Sequence, residues 1–216
     1  MKNTDMLGKI KRFFVLSGAV LLIGLVCSIL FKIKCDAAYM GTEFLIRSAV
    51  SAVLAMVFIV IFFAIRFQKI DGLPAGVITI FALIHNLAIA YFTLVPFRKP
   101  VGGSFLVVAL VILCFTLGET AVLFDQISET KKHLGAKTPL TDIVNQSAAQ
   151  AKTRIWGAAM IAGFTAAAVI IIAIVFKQNN LILLAVPLLT GIIASTYSAV
   201  CLTVPLWTMW QTRNAK

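Results

Sequence analysis

Long apolar runs, each close to the length of a bilayer-crossing helix, alternate with short polar breaks along almost the whole chain. Six segments stand out, at about 13–32, 46–66, 73–95, 104–125, 154–176 and 181–209. A hydrocarbon core of about 30 Å needs roughly 20 apolar residues in a helix, so each is long enough to span. Gly72-Leu73-Pro74 separates the second run from the third, residues 96–103 the third from the fourth, and Lys177-Gln178-Asn179-Asn180 the last two. The only long polar stretch is 126–152, read as a loop. A spanning chain must satisfy its backbone internally, so the expected fold class is an all-α membrane protein, a six-transmembrane-helix bundle.

The pattern divides the chain into a tail at 1–12, a first transmembrane helix at 13–32, a short outer loop at 33–45, a five-helix transmembrane region at 46–210 containing the loop 126–152, and a second tail at 211–216. The first run follows Lys9, Lys11 and Arg12 like the core of a signal sequence. It is longer than such a core and no small-x-small cleavage site follows it, so a retained helix is expected.

Composition supports the same class. Hydrophobic residues make up 61% of the 216 positions and charged residues 12%, about half the charge a soluble domain carries. The net charge of +11 lies in short clusters between apolar runs, which argues for topogenic loops rather than nucleic-acid binding. With the N-terminus inside, the inner side holds Lys2, Lys9, Lys11, Arg12, Arg66, Lys69, Lys131, Lys132, Lys137, Lys152, Arg154, Arg213 and Lys216, most of the 19 basic residues. Both termini are therefore expected in the cytoplasm and the protein in the bacterial inner membrane. Trp156, Trp207 and Trp210 then fall at the inner interface, where indoles favour the headgroup region. Cys27, Cys35, Cys114 and Cys201 show no metal-ligand spacing, and no cofactor or metal is expected. No nucleophile triad or phosphate loop appears, so an enzyme is not expected.

Small residues four apart, Ala159-Gly163-Ala167 and Gly191-Ser195-Ala199, suggest close helix packing in lipid. The more informative positions are polar ones at membrane depth, where a charge costs a few kcal/mol and usually faces the bundle interior. Glu119 lies about 22 Å along the fourth helix from its outer end at roughly 1.5 Å per residue, flanked by Thr116, Gly118 and Thr120. Asp125 follows at the inner boundary, His85 and Asn86 sit near the midplane of the third helix, and Arg154 opens the fifth. A carboxylate with a basic partner can carry protons, because an apolar environment favours its neutral form and a guanidinium its charged form. Glu119, Arg154 and Asp125 are the candidate proton relay. The plainer alternatives are an interfacial Asp125–Arg154 salt bridge, a Glu119 that snorkels inward, and a His85-Asn86 pair that only bonds neighbouring helices. Thr116 and Thr120 beside Glu119 also leave sodium open as the coupling ion.

The run Gly118-Glu119-Thr120-Ala121-Val122-Leu123-Phe124-Asp125-Gln126-Ile127-Ser128-Glu129 resembles the SecF motif N-D-T-I-V-V-F-D-R-I-R-E. Asn145, Ser147, Gln150 and Arg154 reproduce the spacing of that family's N-x-S-x-x-Q-x-x-x-R, Ser195-Thr196-Tyr197-Ser198 is similar to G-T-Y-S-S, and His85-Asn86 to H-D. The likeness covers about residues 45–210. It implies a SecD/SecF bundle of the RND type that uses the proton motive force, with a SecD-like subunit and a SecYEG-type channel, to support preprotein export. On that resemblance Glu119 takes the place of a membrane Asp and Arg154 that of an Arg. His85, Asn86, Thr116, Thr120, Asn145, Gln150, Thr196 and Ser198 are supporting polar residues. The preprotein is an indirect partner and membrane lipid a direct one. Asn86 stands where the family has Asp, Gly118 where it has Asn, and Gln126 and Ser128 where it has Arg. The large outer domain between the first two helices is missing, and Asp36 and Gly41-Thr42-Glu43 are its joined flanks. These departures keep open a non-conducting scaffold subunit, or a small-molecule or ion transporter of the RND type.

Overall fold

The structure, a computed structural model, describes residues 10–30, 42–97, 103–135 and 138–214. Among them there is no strand. The helices are α1 (Ile10–Leu30), α2 (Thr42–Arg66), α3 (Gly72–Phe92), α4 (Gly103–Leu134), α5 (Leu140–Val175), α6 (Asn179–Ser198) and α7 (Val204–Asn214). Four stretches are long and apolar enough to cross a membrane: Gly72–Phe97, Phe105–Leu134, Leu140–Val175 and Asn179–Arg213. Phe14–Ile29 and Val50–Arg66 are shorter apolar helices. Most of the loop expected at 33–45, with Cys35, Asp36 and Gly41, lies outside the described residues, and α2 begins at Thr42.

The turn between α2 and α3 forms at Phe67–Asp71, with Asp71 in the left-handed region at φ 56°. Gly72-Leu73-Pro74 is the first turn of α3 rather than a break. Proline is welcome there, because its fixed φ is helical and no partner is needed for its missing N–H. Gly72 and Gly76 sit where α3 approaches the α2 backbone closely. A Cβ on Gly72 would lie 2.1 Å from the Phe63 carbonyl oxygen, and one on Gly76 2.9 Å from the Val60 Cα. This small-x-x-x-small pair lets two backbones approach in lipid.

Of the two ridges expected in α5 and α6, Gly191-Ser195-Ala199 is buried, and a Cβ on Gly191 would strike Ile112 of α4 at 2.2 Å. Ala159-Gly163-Ala167 is looser. The nearest atom to a Cβ on Gly163 is Leu189 Cδ1, at 3.9 Å.

The polar stretch 126–152 is helical apart from the short connection after Leu134. α4 ends at Gly135, whose φ of 76° suits a glycine terminating a helix, and Pro139 precedes the first turn of α5. Ile143, Ser147 and Ala151, with Val144 and Ala148, are buried at spacings of four, while Asp142 and Gln146 are exposed. That is the stripe of an amphipathic helix, so helix and polarity coexist here.

α6 contains Pro187 and runs into a wide π-helical turn at Ala199–Thr203 before α7. Pro205, in the first turn of α7, lacks an N–H and would crowd the carbonyl of Cys201 in a regular helix. The wide turn falls just before it, and Thr203 Oγ1 donates to the Ser198 carbonyl at 3.1 Å. Beyond this turn Trp207 points inward, only 1% exposed. Its ring lies 5.9 Å from Phe124, which in turn packs 5.9 Å from Phe63 and 5.8 Å from Phe67. Of the three tryptophans expected at the interface, Trp207 thus packs inside the bundle and does not offer its indole to headgroups. Trp156 and Trp210 are 52% and 45% exposed, whereas Trp207 is core.

Candidate functional site

Glu119 is 4% exposed, the one buried carboxylate among the described residues. Ser195 Oγ donates to its Oε2 at 2.5 Å and Thr196 Oγ1 to its Oε1 at 2.7 Å. Both hydroxyls come from the buried face of α6, which Gly191 lets approach α4 closely. Thr196 Oγ1 also lies 3.0 Å from the Ile192 carbonyl, so it has a second acceptor to turn to. Ser198 does not touch the carboxylate. Its hydroxyl donates to the Ser195 carbonyl at 3.0 Å and so braces the cradle. Ser195 stands out in the sequence as a small residue of the α6 packing ridge and as part of the matched run, yet it is also a direct partner of the carboxylate.

Arg154 does not pair with Glu119. It is exposed and makes no ion pair among the described residues. It does share a cavity of about 290 Å³ with Glu119, lined also by Cys114, Gly118, Val122 and Ala158. A second, polar cavity of about 580 Å³ is lined by Arg154 with Gln126, Glu129, His133, Gln146 and Gln150. Arg154 thus stands between the carboxylate's cavity and a polar one at the end of the bundle. Gln150 Oε1 accepts from Gln126 Nε2 at 2.8 Å, bracing α4 to α5 beside that cavity. Asn145 Oδ1 is buried without a hydrogen-bond partner.

Asp125 does not pair with Arg154, contrary to expectation. Its Oδ1 lies 2.8 Å from Arg66 Nη2 of α2, and the Arg66 guanidinium sits 5.5 Å over the Phe67 ring. Six residues at about 100° each turn Asp125 roughly 120° from Glu119 around α4, so the two cannot share a face. Both partners of the Asp125–Arg66 pair are about half exposed, and such pairs contribute at most about 1 kcal/mol. Asp125→Asn is expected to shift thermal unfolding in detergent very little and to leave membrane assembly intact. A large loss of stability would mean that the pair does more than close the α2–α4 edge.

His85 and Asn86 belong to a separate buried chain of hydrogen bonds. Asn86 Nδ2 donates to Thr116 Oγ1 at 3.1 Å, which turns Asn86 Oδ1 toward His85 Nδ1 at 3.2 Å. A neutral imidazole then carries its proton on Nδ1 and accepts at Nε2. Ser17 Oγ of α1 supplies that donor at 2.5 Å. Ser17, 7% exposed, is not among the residues singled out in the sequence, where the signal available is a serine inside an apolar run. Thr120 Oγ1 donates to the Thr116 carbonyl at 2.8 Å. The two threonine hydroxyls thus bond to Asn86 and to backbone, not to Glu119.

A bundle of apolar helices with one carboxylate in a hydroxyl cradle, beside a cavity reached by a free guanidinium, defines a polytopic membrane protein with an ionisable centre. Residues 33–213 match the family model described as protein export membrane protein SecD/SecF, C-terminal. The chain belongs to the SecD/SecF family. It is 27% identical over 176 residues to protein translocase subunit SecF of Sebaldella termitidis, covering 81% of this chain and 54% of that one. To the SecF of Alicyclobacillus acidocaldarius it is 30% identical over 176 residues, covering 79% and 54%. To the SecDF of Bacillus subtilis it is 27% identical over 177 residues, covering 80% and 23%. The fold matches a crystal structure of SecDF in super-membrane-facing form, with a TM-score of 0.72 and 22% identity over 81% of this chain and 23% of that one. The chain spans about half the length of the SecF relatives it matches.

Proposed function

We propose that this chain is a SecF-like subunit of a preprotein translocase, which supports export by passing protons through Glu119 in complex with a SecD-like partner. The observation that carries the reading is the Glu119 carboxylate, withdrawn from lipid and held by Ser195 and Thr196. When the carboxylate is ionised both hydroxyls donate to it. When it takes a proton, Thr196 can turn to the Ile192 carbonyl instead, so the cradle tolerates both states without moving a helix. Both carboxylate oxygens already receive O–H donors, which suits proton exchange better than sodium ligation. Arg154 keeps its charge throughout and acts as a counter-ion between the two cavities it lines. Asp125, paired elsewhere, has a structural part.

In this reading all six long apolar elements span the inner membrane, α6 and α7 counting as one, with both termini in the cytoplasm. The segment between Leu30 and Thr42 is too short to fold alone, so the partner supplies any outer domain that handles preprotein. Homologous six-helix halves related by an axis along the membrane normal are a known transporter design, and the face of α4 at Gly118, exposed with nothing within 4 Å of a Cβ there, leaves room for such a partner.

The test is Glu119→Gln in inner-membrane vesicles holding the whole translocase. Stimulation of export by the proton gradient is expected to disappear, while the partner still co-purifies. Undiminished stimulation would overturn the relay. A scaffold role has one observation in its favour, the chain from Ser17 through His85 and Asn86 to Thr116, which stitches α1, α3 and α4 together. Full complementation of a deletion by the double variant Glu119→Gln, Arg154→Ala would select the scaffold.

A further inference from the structure

We propose that the cleft between α5 and α6 binds one acyl chain of an anionic phospholipid, with the lipid phosphate on Lys152. The cleft has a volume of about 620 Å³ and largely apolar walls. Its rim residues Met160, Phe164 and Ile193 are 50%, 67% and 60% exposed, so it opens outward, where a membrane protein meets hydrocarbon. Water gains little in such a cavity, because its walls are apolar apart from Lys152 at one mouth and Thr196 and Tyr197. Left empty it would forfeit dispersion contacts along its whole lining.

Its dimensions fit a lipid chain. From Trp156 to Ala167 α5 rises about 16 Å at roughly 1.5 Å per residue, and one leaflet's share of a core of about 30 Å is close to 15 Å. The cleft is too narrow for another helix, because its walls already meet near Gly163, where Leu189 Cδ1 stands 3.9 Å from a Cβ position. A helix would need about 10 Å. One mouth carries Lys152 and, one turn on, Trp156 on the same face. Lys152 makes no ion pair or hydrogen bond among the described residues. A cation beside an indole at headgroup depth between helices is the arrangement that selects an anionic headgroup. Thr196, which holds Glu119, also lines this cleft. An acyl chain seated there keeps water from the far side of the carboxylate's cradle.

The test uses the full chain in nanodiscs doped with phosphatidylglycerol or phosphatidylcholine carrying brominated acyl chains. The Trp156 signal is taken as the difference from Trp156→Phe. Quenching is expected at about fivefold lower mole fractions of the anionic lipid, the selectivity one lysine gives at a charged surface. Lys152→Ala, an exposed change, is expected to remove that selectivity. Gly163→Leu, which fills the cleft, is expected to weaken quenching by both lipids. Equal quenching by the two lipids, unaffected by Lys152→Ala, would overturn the site. Loss of quenching when a partner subunit is reconstituted alongside would also overturn it, assigning the cleft to a helix interface.

Discussion

Trp207→Ala is expected to destabilise the bundle by about 3–5 kcal/mol, the range for emptying a buried aromatic site. The indole is 1% exposed and packs on Phe124, which joins Phe63 and Phe67 in one aromatic cluster. That cluster ties α7 to α2 and α4, where Gln211 Nε2 also donates to Asp71 Oδ2 at 3.0 Å. Removing the ring opens a cavity that stiff helices cannot close. Trp207→Phe should cost much less, since the indole Nε1 is buried without a partner and its loss forfeits no hydrogen bond. The comparison also tests the direction of the ring. Trp156 and Trp210 changed to alanine should each shift thermal unfolding in detergent only slightly, because both are half exposed. Equal effects at all three positions would return Trp207 to the membrane interface.

That inward turn explains why part of this fold was hidden in the sequence. Read as one regular helix, residue 207 lies about 120° from Ser195 around the axis. One inserted residue in the wide turn at 199–203 brings it to about 20°, onto the buried face. Hydropathy sees the apolar run but not the inserted residue, so the helix was legible and its facing was not. The apolar runs themselves were plain, because spanning length and lack of charge are properties of composition. At 126–152 polarity was mistaken for looseness. Buried positions at Ile143, Ser147 and Ala151 repeat every fourth residue, a signal that outweighs the charge around them once it is counted.

The candidate site was legible to a similar degree. Glu119 stood out because a carboxylate at membrane depth is rare. Its partners were less visible, because hydroxyls in apolar helices are common and only the fold says which of them face a carboxylate. Thr116 and Thr120, adjacent in sequence, turn to Asn86 and to backbone, while Ser195 and Thr196, far along the chain, take the carboxylate. The misplaced Asp125–Arg154 pair came from treating two acidic residues of one helix as neighbours, although helical geometry already sets them on different faces.

The double variant Ser195→Ala, Thr196→Val is expected to be about 3 kcal/mol less stable than the parent, since hydrogen bonds to a charged group contribute about 1.5–3 kcal/mol each. The substitutions nearly preserve shape, so the loss measures the carboxylate left without donors rather than a cavity. Adding Glu119→Leu to the double variant should recover most of the stability. A buried polar group and its partners can be exchanged together for apolar side chains of similar volume at little cost, whereas removing one side strands the other. Ser198→Ala, which gives up only a bond to the Ser195 carbonyl, should cost about 1 kcal/mol. Unfolding midpoints of the parent and the three variants in one detergent separate these terms. If the triple variant stays as unstable as the double, the hydroxyls act through helix packing and not through the carboxylate. Export stimulation gives the complementary reading, because the stable triple variant should be as unresponsive to a proton gradient as Glu119→Gln. A protein that regains its stability but not its response has lost the carboxylate and its two donors without losing the fold, and that separation is what the proposed relay at Glu119 requires.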